Sequence, residues 1–227
     1  MIMPSDNDYK ETKLIKQGKR SLNQDFKELA DWINSKYNLN VLNIYFDNIE
    51  PDNRSRLNII FEFKIDALKF SKGEFGNFYK KDQEIIAHKF EELNRTKYKI
   101  NNLFVIFTAF EPIAKIEANE NVTKKELINL KNKLNIKDLW EISNMFSGVT
   151  FFFYTDQQVK NYNTNEMKEI LISEYYQILR KYDEFSYFTK NNILFAIDSK
   201  ENFDKNYHSN WFYYYRWVYY KTAEHYA

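Results

Sequence analysis

Hydrophobic and polar residues alternate along Leu57–Ile65. Leu57, Ile59, Phe61, Phe63 and Ile65 fall on one side; Asn58, Glu62 and Lys64 fall on the other. A period of two marks a strand with one buried face. Upstream, Leu42, Ile44 and Phe46 alternate with Asn43, Tyr45 and Asp47 over Val41–Asn48. Pro51, Asp52 and Asn53 are turn formers, so these two segments are expected to pair as a hairpin. Three further apolar runs, Leu103–Phe110, Val149–Thr155 and Ile193–Asp198, read as neighbouring strands. The first of them is apolar almost throughout, as in a strand covered on both faces, and is expected at the centre of the sheet.

A period near 3.6 appears between these runs. Leu22, Phe26, Leu29, Ile33 and Tyr37 share a helix face behind a Ser21–Gln24 capping-box pattern. A helix over 82–97 would bury Ile86, Phe90 and Leu93. Thr123 with Glu126 opens a helix carrying Leu127, Leu130 and Leu134. A short helix is expected at 137–146, with Leu139, Trp140, Ile142 and Met145. Thr164 caps a helix in which Met167, Leu171, Tyr175, Ile178 and Tyr182 align. Helical crossovers return strands in parallel. The fold class is therefore α/β: a single mixed, mainly parallel sheet of about five strands, with an N-terminal hairpin and helices on both faces. One domain is expected over 21–227, after a flexible basic arm over 1–20 that holds Lys10, Lys13, Lys16, Lys19 and Arg20. An acidic residue recurs after the strands, a similarity too weak to define a repeat.

Composition narrows the chemistry. The 227 residues are 44% hydrophobic and 19% aromatic, so the core must be rich in Phe and Tyr. A net charge of +1 supplies no global field for nucleic acid or an anionic membrane. With no cysteine and three histidines, disulfides, thiolate metal sites and a Cys nucleophile are excluded. No stretch approaches the roughly 20 apolar residues of a membrane span, and a cytoplasmic protein is expected. The excess of Asn and Lys reads as AT-rich codon usage, suggesting a bacterial or phage genome. Ser71–Asn77 holds two of the four glycines but lacks the spacing of a phosphate-cradling loop.

Three groups of residues are candidates for function. Asp66, Glu111, Asp156 and Asp198 each stand at or just past the end of an expected strand. On parallel strands they would share the carboxyl edge, where open α/β sheets bind ligands. They would serve there as an acidic docking surface or a Mg²⁺ site, although acidic residues also start turns and cap helices. The second group is Pro51-Asp52, nine intervening residues, then Glu62-Phe63-Lys64, which resembles the PD-(D/E)XK nuclease motif. That resemblance implies a divalent metal on Asp52 and Glu62, with Lys64 steadying the attacking hydroxide or the phosphate. Counting through the expected hairpin puts Asn43, not Asp52, across from Glu62. The third group is the run Trp211–Tyr220. On a helix Trp211, Tyr214, Tyr215 and Val218 form one stripe for the sheet, leaving Phe212, Tyr213, Arg216, Trp217, Tyr219 and Tyr220 around the rest. Tyr, Trp and Arg dominate protein interfaces.

The expectation by elimination is a non-enzymatic, cytoplasmic protein-binding module without a cofactor, such as an immunity-type inhibitor of a bacterial toxin or effector. Its partner-binding residues would be Asp66, Glu111, Asp156, Asp198, Trp211, Tyr213, Arg216, Trp217 and Tyr220. The alternatives are a Mg²⁺-dependent nuclease using Asp52, Glu62 and Lys64, and a self-associating structural component.

Overall fold

The computed structural model describes residues 2–73, 76–94 and 96–216. The chain folds as two compact units, Met1–Ile113 and Ala114–Ala227, where the sequence pattern favours a single domain. Each unit holds its own three-stranded sheet, in place of one sheet of about five strands. The α/β class holds; the single, mainly parallel sheet does not.

In the first unit, β1 (Val41–Ile49) pairs antiparallel with β2 (Arg54–Phe61), and β2 pairs parallel with β3 (Phe104–Ala109). The expected hairpin is present. The centre is β2, however, and β3 lies outside it. Helices α2 (Gln24–Tyr37) and α4 (Lys80–Asn94) cover one sheet face. There Phe26, Leu29, Ile33, Ile86 and Phe90 pack with Leu57, Ile59, Phe61, Val105 and Phe107. The cap of α2 is Asn23, whose side chain accepts the Asp25 N–H, rather than Ser21. The period-two pattern overruns β2: Phe63 leads into α3 (Lys64–Leu68), and Ile65 is 67% exposed. Glu62 ends the strand pairing, its carbonyl accepting the N–H of Glu111 at 2.9 Å.

The basic segment expected as a flexible arm folds as α1 (Asn7–Lys16), with Asp8, Tyr9 and Thr12 buried against the other sheet face. After β3 comes α5 (Phe110–Glu120), within which the unit boundary falls. Pro112 sits in its first turn, where no intrahelical N–H is needed.

The second unit repeats this connectivity. After α6 (Lys124–Leu134), β4 (Leu139–Met145) pairs antiparallel with β5 (Gly148–Phe153), which pairs parallel with β6 (Leu194–Ser199). Between β5 and β6 stand α7 (Asp156–Tyr162) and α8 (Asn165–Leu179). The capping box of Thr123 and Glu126 and the cap by Thr164 are both formed. Buried Leu127, Leu130, Leu171, Tyr175 and Leu179 pack on Leu139, Ile142, Val149, Phe151 and Phe153.

The segment 137–146 contains β4, not a helix. Trp140 and Ile142 suit a strand, Ser143 and Asn144 weaken a helix, and β5 supplies the hydrogen-bonding partner. Register also repeats: the irregularity at Val41/Asn43 in β1 has its counterpart at Leu139/Glu141 in β4. Both α2 and α6 end on an asparagine in the left-handed region, Asn38 (φ 52°) and Asn135 (φ 50°). In a chain with four glycines, asparagine takes that role because its short polar side chain tolerates the conformation. The recurrence too weak to define a repeat in sequence is thus a repeat of topology.

Candidate functional site

Ser199 closes β6 and caps α9 (Lys200–Tyr207), its Oγ accepting the N–H of Asn202 at 2.8 Å. At the end of α9, His208 and Ser209 both adopt left-handed backbone angles, φ 52° and 54°, and reverse the chain. Asn210 then caps α10 (211–216), with its Oδ1 accepting the N–H of Phe212 at 2.9 Å.

Helix α10 is seated on the second unit's sheet by hydrogen bonds and aromatic packing. Tyr214 donates its hydroxyl to Asp198 Oδ2 at 2.7 Å, and Tyr215 donates to Ser143 Oγ. Both rings are buried with Phe152 and Phe203. Trp211 lies 4.2 Å from Phe203 between ring centroids and stacks parallel to Trp140 at 6.1 Å. Burial in this apolar cluster raises the Tyr214 and Tyr215 hydroxyls above the ordinary tyrosine value, Tyr215 to about 12.

The outward side of α10 differs in kind. Phe212 is 68% and Tyr213 52% exposed, and Arg216 is exposed beside them. The stripe Trp211–Tyr214–Tyr215 therefore faces the sheet, as helical spacing predicts. Trp211, expected as a partner contact, packs on Trp140 and Phe203 and stays 37% exposed. Val218, Trp217, Tyr219 and Tyr220 lie outside the described residues.

The four acids do not share a rim, because their strands belong to two sheets. Asp66 is in α3, paired with Lys69 at 3.2 Å, and Glu111 is in the first turn of α5. In the second unit Asp156 opens α7 and accepts the hydroxyl of Ser199, while its N–H donates to Glu201 Oε2 at 3.0 Å. Asp198 accepts from the Ser199 N–H, the Asn202 amide and Tyr214. The edge of one parallel sheet expected to gather the four acids is thereby corrected to two separate sheets, and Asp156 and Asp198 hold helices to β6.

The nuclease-like set is also separated. Asp52 lies in the turn before β2, and Glu62 follows the last residue of that eight-residue strand. At about 3.3 Å per residue the strand alone spans roughly 26 Å, so the two cannot share a metal ion. Lys64 starts α3, and burial lowers its pKa against the opposing pull of Glu111. Glu62 accepts Lys16 Nζ at 2.6 Å. Across the hairpin Asn43 pairs with Ile60, not Glu62. Among the described residues no group of three or more His, Asp or Glu side chains could hold a metal ion. Among the same residues no helix is long and apolar enough to cross a membrane.

One site was missed in the sequence. Beneath α1, Asp8 is 2% exposed. Its Oδ2 accepts from the Asn58 amide at 3.0 Å and its Oδ1 from the Tyr9 N–H at 2.8 Å. Arg56, paired with Asp47 at 2.6 Å, holds a guanidinium nitrogen 3.8 Å from the same carboxylate. Thr108 donates to Asn58 Oδ1 at 2.8 Å, and Asn43 donates to Thr12 Oγ1 at 3.0 Å. Burial raises the Asp8 pKa. The available signal was the spacing of Asp8 and Thr12, one helical turn apart, set against asparagines at strand positions 43 and 58.

A scan against protein-family models finds no match, and neither curated proteins nor solved structures yield a similar chain.

Proposed function

We propose that this chain is a protein-binding module that grips a partner protein through the outward face of α10. One observation carries the reading: Phe212 and Tyr213, 68% and 52% exposed, project beside Arg216 from a helix fixed to its sheet from beneath. Large aromatic side chains next to an arginine are the residue types that dominate binding energy. Presenting them on a seated helix lowers the ordering cost of association. The partner surface that fits is an apolar hollow with an acidic rim, the hollow for Phe212 and the rim for Arg216.

Within this reading the biological setting we favour is cytoplasmic, the masking of a toxin or effector by an immunity-type inhibitor. Support for it is a near-neutral, cysteine-free chain whose exposed aromatic face is organised for contact. The nuclease alternative gains no support from the positions of Asp52 and Glu62.

The test is co-purification with the product of the adjacent gene. Wild type should retain it and the Phe212→Ala/Tyr213→Ala/Arg216→Ala chain should lose it. Retention by both, or by neither, contradicts the proposal. A concentration-dependent dimer lost in the triple variant would instead assign the face to self-association.

A further inference from the structure

We propose that the outer edge of β6 is a self-association surface, on which a second copy of this chain pairs antiparallel about a two-fold axis through Ala196. The edge is separate from the outward face of α10, and the inference does not rest on that reading.

Strand β6 ends the second unit's sheet, with β5 on its inner side. Along a strand, successive residues turn their N–H and C=O groups alternately to one side and the other. Ser199 donates its N–H to Asp198 Oδ1 at 2.7 Å, so it turns away from β5. By alternation Ile197 and Phe195 turn away as well. Strand β3 shows the same phase at the matching place, where the Val105 carbonyl accepts the side-chain amide of Gln83 from α4. Val105 pairs with Leu57 as Phe195 pairs with Val149. Gln83 thus blunts the edge of β3. Among the described residues, no strand or side chain takes the outer N–H and C=O of Phe195 or Ile197.

The edge also lacks the devices that keep strands apart. Leu194-Phe195-Ala196-Ile197 carries no charge, proline or bulge, and its residues are half-buried where Val149–Phe153 of β5 are buried. An edge of that kind is a template for another strand.

The sequence of β6 selects a second copy in one orientation. With the axis through Ala196, Phe195 lies opposite the partner's Ile197, and Ile197 opposite the partner's Phe195. These are the outward-turned residues, so each pair exchanges both hydrogen bonds. Their side chains, on the face packed with Phe151 and Phe153, add an aromatic and β-branched pair on each side of the axis. Ala196 meets its counterpart in the non-hydrogen-bonded position, where Cα atoms come about 4.5 Å apart and a small side chain fits. Asp198 falls opposite the partner's Leu194, about 14 Å from its own counterpart and beyond the screening distance of roughly 8 Å. A parallel, in-register stack would instead set these two carboxylates about 5 Å apart, so charge favours a closed pair over an open fibre. Two three-stranded sheets thereby become one continuous sheet.

The contact is small beside a standard interface of roughly 1,600 Å², so association is weak and depends on concentration. Sedimentation velocity of the full chain from about 10 µM to about 1 mM should show the boundary move from monomer toward dimer. Ala196→Lys sets two ammonium groups against each other on the axis and should weaken the dimer at least about tenfold, as should Ala196→Glu. An equimolar mixture of the two variants should dimerise again, because only on a two-fold axis does residue 196 meet itself. Circular dichroism confirms the fold of each. Where a charged variant does not fold, Ala196→Cys in this cysteine-free chain gives a second reading. The spacing on the axis suits a disulfide, so oxidation should link Ala196→Cys chains in pairs and leave Phe212→Cys chains largely unlinked. The dimer should also persist in the Phe212→Ala/Tyr213→Ala/Arg216→Ala chain, and its loss there would assign association to α10 and overturn the proposal. A monomer at about 1 mM, a dimer indifferent to Ala196→Lys, a mixture no better than either charged variant alone, or equal linking of the two thiols also overturns it.

Discussion

Tyr214 donates its hydroxyl to Asp198 at 2.7 Å, tying a helix that follows β6 back to the strand it left. Asp198 keeps two other donors, the Ser199 N–H and the Asn202 amide, when that hydroxyl is removed. The loss in Tyr214→Phe is then one bond to a charged group, about 1.5–3 kcal/mol. Urea unfolding should show this decrease; a difference below about 0.5 kcal/mol would mean that α10 is not anchored there.

Alkaline pH should loosen the same anchor. Burial raises the Tyr215 pKa from 10.0 to about 12, with Glu141 adding to the shift and the Ser143 bond opposing it. A group whose folded pKa lies above its unfolded value contributes fully below the unfolded pKa. That contribution is lost as pH climbs from 10 towards about 12. Tyr214 and Tyr175 are also raised, chiefly by burial, and act in the same direction. Thermal midpoints followed above pH 10 should fall, and Tyr215→Phe should fall less steeply than wild type. Parallel curves for the two proteins would refute the assignment.

Gly148 is constrained by close approach rather than by an unusual φ. A Cβ there would stand 2.9 Å from the Leu194 carbonyl oxygen on β6 and 3.0 Å from the Leu194 Cβ. The obstacle is strand backbone, which cannot rotate aside. Gly148→Val should therefore destabilise the second unit by about 1–3 kcal/mol and speed hydrogen exchange in β5 and β6. Unchanged exchange in those strands would contradict this packing.

Asp8 should make the first unit's stability fall as pH rises. Burial raises its pKa above 3.8; Asp6 adds to that, while Asn58, the Tyr9 N–H and Arg56 oppose it. Arg56 is in turn paired with Asp47, and Tyr45 lies within the same electrostatic field. A carboxyl with a raised folded pKa binds its proton more tightly in the native state. Its contribution is whole below 3.8 and is lost as pH rises through the folded value. Asp8→Asn removes that dependence, so the variant should gain on wild type between acidic and neutral pH in denaturant melts. A constant difference would place the carboxylate in a more polar setting.

These relationships show what patterning reveals and what it hides. Leu57, Ile59 and Phe61 point to one core as alternation predicts, but Asn58 on the opposite side is fully buried too. A polar residue under a helix looks the same in sequence as one under water. Helix α1 was hidden for the same reason: it buries Asp8 and Thr12, so apolar periodicity does not mark it. At 137–146 the apolar residues fit helical spacing, and only the non-local pairing with β5 makes them a strand. The repeat was illegible because matched register positions differ in chemistry. Thr108 pairs with Ile60 in the first unit where Asp198 pairs with Phe152 in the second. The aromatic stripe of α10 was legible because large rings at helical spacing carry their own evidence of burial.

The most direct test of the account is calorimetric titration of the adjacent-gene protein into wild type and into Phe212→Ala, Tyr213→Ala and Arg216→Ala. Truncating a central contact typically costs about 2 kcal/mol, or roughly 30-fold in Kd, and at least one of the three should reach this while all remain folded. Equal affinities across all four proteins would contradict the claim that α10 presents the binding surface.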